Sequence, residues 1–184
     1  MTNSLWWYTA RAGGLVAAAL LAGSVIAGLA LSTAPRHARP RTSWRLDLHR
    51  FLGGLACVFL VLHLAGTYFD RFVTFHVVDL VVPFTSHWDP WAVALGVVSL
   101  YLLAAVEVTS LLKPRLPLAV WRNVHYASFP LFAFVQLHVL LGGSDRGSPW
   151  LLGVIVMCDL AIAGLLVRRG LRAEGATTRE ALRS

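Results

Sequence analysis

The chain has 184 residues, about one domain's length, yet 57% are hydrophobic and only 14% charged, with a mean hydropathy of +0.67. That leaves too few polar side chains to cover a water-soluble fold, and too many apolar ones for a disordered chain, so both are excluded. The net charge of +7 is carried by basic residues lying between apolar runs, a pattern of membrane orientation and not of nucleic-acid binding. Cys57 and Cys158 lie inside apolar runs without CxxC or zinc spacing and read as small packing residues.

Five runs are long enough to cross a hydrocarbon core, which takes about 20 residues of helix. They are Ala12 to Ala34, Phe51 to Phe69, Trp91 to Leu112, Asn123 to Gly143, and Trp150 to Val167. Trp6, Trp7, Tyr8, Trp88, Trp91 and Trp150 stand at their ends, where indole and phenol rings favour the interface. The first run is longer than the apolar core of a signal peptide and has no basic cluster before it, so it reads as a retained helix. Thirteen Lys and Arg fall on one side: Arg36, Arg39, Arg41, Arg45, Arg50, Lys113, Arg115, Arg122, Arg168, Arg169, Arg172, Arg179 and Arg183. Only Arg11, Arg71 and Arg146 fall on the other. The expected fold is therefore all-α, an integral bundle of five transmembrane helices, multi-pass in the plasma membrane, with the N-terminus outside and the C-terminus cytoplasmic. Segment 70–90 is too short to span and reads as an outer interfacial element, and residues 170–184 as a short, mobile cytoplasmic tail.

Ionisable groups inside spans are costly, which draws attention to four histidines. His49 and His63, fourteen residues apart, lie on the second span; His125 and His138, thirteen apart, lie on the fourth. Both spans run from inside to outside, so the histidines fall into an inner layer (His49, His125) and an outer layer (His63, His138), about 20 Å apart. Fourteen residues is close to four turns and keeps one face; thirteen is a poorer match that tilt or local unwinding must correct. Neutral imidazole suits both axial positions of a haem iron, so each layer could hold one porphyrin edge-on. The nearby small residues Gly53, Gly54, Ala65, Gly66, Ala127 and Ser128 could make room for it. Zinc is poorly served by two imidazoles per layer, and the layers are too far apart for a di-metal centre.

This paired spacing resembles the haem signature of the ferric reductase-like transmembrane domain superfamily, which includes ferric reductases, NADPH oxidases and the haem subunit of a methionine sulfoxide reductase system. Three stretches are also similar to its bacterial members: residues 7–16 (WYTARAGGLV), 48–53 (LHRFLG) and 79–84 (DLVVPF). The resemblance covers roughly residues 5 to 170 and implies a haem-binding domain over 1–169. It implies two b-type haems, ligated by His49 with His125 and by His63 with His138, passing single electrons across the membrane. Many members have an additional first helix, and many continue into a flavin and nicotinamide-binding dehydrogenase. No GxGxxG or other dinucleotide motif is present here. Flavin and NAD(P)H are therefore expected only through a partner, and electrons from a separate flavoprotein or a quinol. The acceptor would be external: ferric iron, oxygen or a partner protein.

Arg11, Arg50, Arg122 and Arg146 flank the layers as candidate partners for haem propionates, with interfacial snorkelling an equal alternative. Glu107 and Asp159, inside the third and fifth spans, could orient a histidine, relay protons or pair with a neighbour such as Thr109. His76 and His87 read as solvated loop residues, and His37 carries no argument. An oxidoreductase component lacking its own dehydrogenase is the leading expectation. A cytochrome b anchor relaying electrons for another enzyme is the second. The third is a haem-free scaffold or transporter, against which stands the lack of broken helices or paired repeats.

Overall fold

The structure, a computed structural model, describes residues 2–33 and 42–181. The linker 34–41 with Arg36, His37, Arg39 and Arg41, and residues 182–184 with Arg183, lie outside the described residues, as does the side chain of Arg179. Every regular element among the described residues is helical. In chain order they are α1 (Thr2–Ser32), α2 (Thr42–Phe69), α3 (Val77–Val81), α4 (Pro90–Leu111), a 3₁₀ turn (Lys113–Arg115), α5 (Leu118–His125), α6 (Ser128–Gly142) and α7 (Pro149–Ala181).

Five helical stretches are long and apolar enough to cross a membrane: Ser4–Ser32, Trp44–Phe69, Pro90–Leu111, Leu118–Gly142 and Pro149–Arg172. They match the five apolar runs, and they are extended at their polar ends because helix is the cheapest way to satisfy backbone groups there. The fourth comprises α5 and α6, interrupted at Tyr126–Ala127, so one span is broken where unbroken helices were expected. Pro130 explains the interruption. It has no N–H to offer the carbonyl of Tyr126, and its ring crowds that carbonyl. The Tyr126 oxygen accepts instead from Phe129 N at 3.2 Å, while Ala127 N donates to Val124 O at 2.9 Å. This turn is wound more tightly than α-helix, so it advances the thirteen-residue histidine spacing towards four full turns; the sense is tightening and not the expected unwinding.

α1 packs along α2, and α4 packs along α6; α1 also touches α6 and α7. Packing between α2 and α6 is sparse by comparison. One small core cluster joins Leu21, Leu103 and Leu131, with Cys57 and Leu60 against it; another joins Val25, Leu29 and Ile162, with Phe129 and Phe132. Cys57 thus packs as expected of a small apolar side chain.

Side-chain contacts order the helix ends. Trp6 meets Phe69 with ring centroids 4.8 Å apart, and Arg11 grips Asp145 with both Nε and a terminal nitrogen. At the opposite end Arg172 donates to the carbonyl of Thr33. The start of α1, the end of α2 and the start of α7 therefore share one end of the bundle, and Thr33 and Arg172 lie at the other. Between α2 and α4, α3 forms one short turn, pinned where Asp79 accepts from His76 N at 2.9 Å. That hydrogen bond holds the Asp79 carboxyl below the usual carboxylate range. Asp89 then caps α4, accepting from Ala92 N at 3.3 Å, with Pro90 at the first helical position. Beyond the span, the tail expected from residue 170 continues as helix to Ala181.

Candidate functional site

The four span histidines come together in two pairs. His49 of α2 and His125 at the end of α5 have ring centroids 6.0 Å apart with planes at 80°. His63 of α2 and His138 of α6 have centroids 6.1 Å apart with planes at 81°. No other pair of histidine rings is in contact among the described residues. Fourteen residues along α2 separate the layers by about 21 Å.

What holds each ring is its Nδ1. His63 Nδ1 donates to the backbone carbonyl of Ala10 on α1 at 2.7 Å, and His138 Nδ1 to that of Ala92 on α4 at 2.7 Å. His49 Nδ1 lies 2.8 Å from the carbonyl of Ser24 on α1 and 3.0 Å from the Ser24 hydroxyl. These contacts use carbonyls already serving the helix ladder, and each is reachable for the same reason. Four residues beyond the carbonyl stands a glycine: Gly14 after Ala10, Gly28 after Ser24, Gly96 after Ala92. A Cβ at Gly14 would lie 2.8 Å from His63 Nδ1, one at Gly28 3.2 Å from His49 Cε1, and one at Gly96 2.9 Å from His138 Nδ1. Glycine therefore opens the floor on which the imidazole lies. The spacing along α1 repeats that on α2, since Ala10 and Ser24 are also fourteen residues apart.

His125 differs. Its Nδ1 has only the Ser110 hydroxyl, at 3.5 Å. Its ring stacks instead on Trp121, with centroids 5.0 Å apart and planes at 23°. The Lys113 ammonium covers Trp121 at 3.9 Å from the ring centre. Trp121 Nε1 is buried and has no hydrogen-bond partner. The inner pair borders a cavity of ≈ 70 Å³, whose polar lining is Ser24, His49, Arg50, Glu107, Ser110, His125 and Ser128.

The donor set has a definite chemistry. A carbonyl oxygen can only accept, so Nδ1 of His49, His63 and His138 carries the hydrogen, and a neutral ring then presents a lone pair at Nε2. In the outer layer both rings, with centroids 6.1 Å apart, are acceptors of this kind. A metal–imidazole bond is about 2.0–2.1 Å and a ring centroid lies about 1.1 Å beyond the nitrogen. One metal bound by both rings would set centroids about 6.2–6.4 Å apart; the 6.0 and 6.1 Å separations, with planes at 80° and 81°, lie close to that and within the range of ordinary edge-to-face ring pairs. Among the described residues no group of three or more His, Cys, Asp or Glu is placed to hold a bare metal ion. A pair of imidazoles with no third protein ligand would suit a metal that brings its remaining ligands with it, as a porphyrin iron would.

The flanking residues divide. Arg11 is engaged by Asp145, with Trp7 5.1 Å from its guanidinium carbon, and Arg146 donates to the carbonyl of Leu141 at 3.1 Å. Arg50 lines the inner cavity, and Arg122 is carried by α5 three residues before His125. Gly53 faces the Glu107 carboxylate, 2.8 Å from an added Cβ, whereas Gly66 meets the backbone of Ala10 and serves the close approach of α1 and α2. Gly54 faces open space. Neither Glu107 nor Asp159 hydrogen-bonds a histidine; Asp159 accepts from Gln136 Nε2 at 2.8 Å. His76 and His87 are exposed and apart from the four. The sequence reading missed Gly14, Gly28, Gly96, Trp121 and Lys113. The first two had a signal, a glycine pair matching the histidine spacing on the neighbouring helix.

No family model, no curated protein and no solved structure matches the chain.

Proposed function

We propose that this chain is a multi-pass di-haem b-type cytochrome of the plasma membrane. His49 with His125, and His63 with His138, are the axial ligands. The observation that carries the proposal is the pairing of four span imidazoles, three of which (His49, His63 and His138) direct Nδ1–H to a backbone carbonyl. Once bound, such a group supplies one-electron iron chemistry. The protein's contribution is to fix tautomer and ring direction through Ala10, Ser24 and Ala92, a role that raises ligand basicity. Glycines at 14, 28 and 96 keep that seat clear. Arg50, Arg122 and the Trp121 N–H are the donors available to carboxylates at the inner layer.

Orientation follows from charge: Arg45, Arg50, Lys113, Arg115, Arg122, Arg168, Arg169 and Arg172 gather at the end holding His49 and His125. That end is cytoplasmic in this reading and faces a separate flavoprotein or quinol donor. The His63–His138 end faces an outer acceptor such as ferric iron, oxygen or a partner protein. The likeness to the ferric reductase-like superfamily supports the same assignment.

Single replacements test it. His63→Ala and His125→Ala, each purified from cells supplied with haem, should lose about half of the bound haem, and the double variant all of it. Unchanged content in either single variant overturns the pairing. A folded, colourless wild-type protein returns the chain to the scaffold or transporter class.

A further inference from the structure

The lipid-facing side of α7 is apolar, as hydrocarbon requires; Val156 and Leu160 are 54% and 64% exposed. Asp159 is the exception. It lies ten residues into α7, about 15 Å from the start of the helix, well inside the span Pro149–Arg172, and it is exposed. One of its carboxylate oxygens accepts from Gln136 Nε2 on α6 at 2.8 Å. No other hydrogen bond reaches either side chain among the described residues. Gln136 keeps one amide hydrogen, and Asp159 keeps one carboxylate oxygen. Lipid chains offer neither a donor nor an acceptor, and an ionisable group facing them is among the costliest placements in a membrane helix. The basic groups on α7, Arg168, Arg169 and Arg172, begin nine residues further on, about 14 Å away along the axis.

We propose that the Asp159–Gln136 pair is the centre of an isologous contact with a second copy of this chain, with α6 and α7 of one copy facing α6 and α7 of the other. The occupant follows from complementarity. The spare donor of Gln136 matches the spare acceptor of Asp159, and a two-fold axis beside them exchanges the two. Residues at helical spacing on the same side of α7, Leu152, Val156, Ala163 and Leu166, are all exposed and supply the packing surface. Ala163, one turn beyond Asp159, lets the backbones approach. The contact uses no residue of the histidine layers, so its failure leaves the haem assignment standing.

Cysteine cross-linking in native membranes tests it. In a Cys57→Ser, Cys158→Ser background, Val156→Cys and Ala163→Cys should each oxidise to a product of twice the 20.1 kDa chain mass. Val61→Cys on α2, 64% exposed, reports random collision. Dilution of fluorescently labelled protein in liposomes should show the dissociation constant rising about tenfold or more for Asp159→Leu with Gln136→Leu, and little change for Asp159→Asn, which keeps an acceptor. Cross-linking no stronger than at Val61, or association indifferent to the leucine pair, overturns the proposal. Should the leucine variant fail to accumulate, cross-linking at Val156 and Ala163 against Val61 decides alone.

Discussion

Replacing Gly96 by alanine is a minimal perturbation with a calculable consequence. The added methyl carbon would lie 2.9 Å from both Nδ1 and Cε1 of His138, where ordinary contact begins near 3.4 Å, a shortfall of 0.5 Å. A metal–ligand bond tolerates displacement of about 0.2 Å, so either the ring leaves its place or α4 backs away from α6. Both movements stretch the 2.7 Å hydrogen bond to the Ala92 carbonyl. Overpacking of this kind costs about 1–3 kcal/mol, while alanine's helix preference returns about 1 kcal/mol. The net loss of stability is therefore small, and the damage concentrates on the outer layer. A pyridine haemochrome assay on purified Gly96→Ala should give about half the wild-type haem. Gly164→Ala, where an added Cβ meets nothing within 4 Å, is the matched control and should keep all of it. Full haem in Gly96→Ala, or equal loss in both variants, would refute the reasoning.

Other outcomes follow from the same geometry. Trp121→Leu removes the plane on which His125 rests; with a 3.5 Å contact left at Nδ1, the proposed inner haem should show a changed spectrum and the proposed outer one should not, as read by resolved redox titration. Arg11→Ala and Asp145→Asn should each lower the thermal midpoint, with strong non-additivity in the double variant because they share one fork, and haem content should hold. Asp79, held ionised by His76 N–H, should titrate by carbon-13 NMR below the ordinary value of about 3.9. Because its folded value is lowered, the stabilisation of α3 is complete above that ordinary value and fades as pH falls through the folded one.

Much of the bundle was legible from hydropathy because the bilayer allows few solutions. The five apolar runs became five helical spans; the thirteen-residue histidine interval called for tilt or local unwinding, whereas the irregularity found between His125 and His138 is a tightened turn. Its position was less visible, since the four-residue reach of Pro130 back to Tyr126 sets it. The grouping of His49 with His125 and His63 with His138 followed from spacing alone. What holds the rings did not, because the partners are backbone carbonyls, which carry no residue identity. Only the glycines leave a trace, and glycine in a membrane helix has many other uses. One arginine contact is tertiary and no local pattern encodes it: Arg11 meets Asp145, 134 residues away in the chain, whereas Arg146, in the loop after α6, turns back to the carbonyl of Leu141.

The most direct measurement is the reduced-minus-oxidised absorption spectrum of the wild-type protein, quantified for haem per chain after expression with ample haem. Bands of a low-spin b-type cytochrome at about two haems per polypeptide are expected. A well-folded helical protein that shows no Soret band under those conditions would contradict the account.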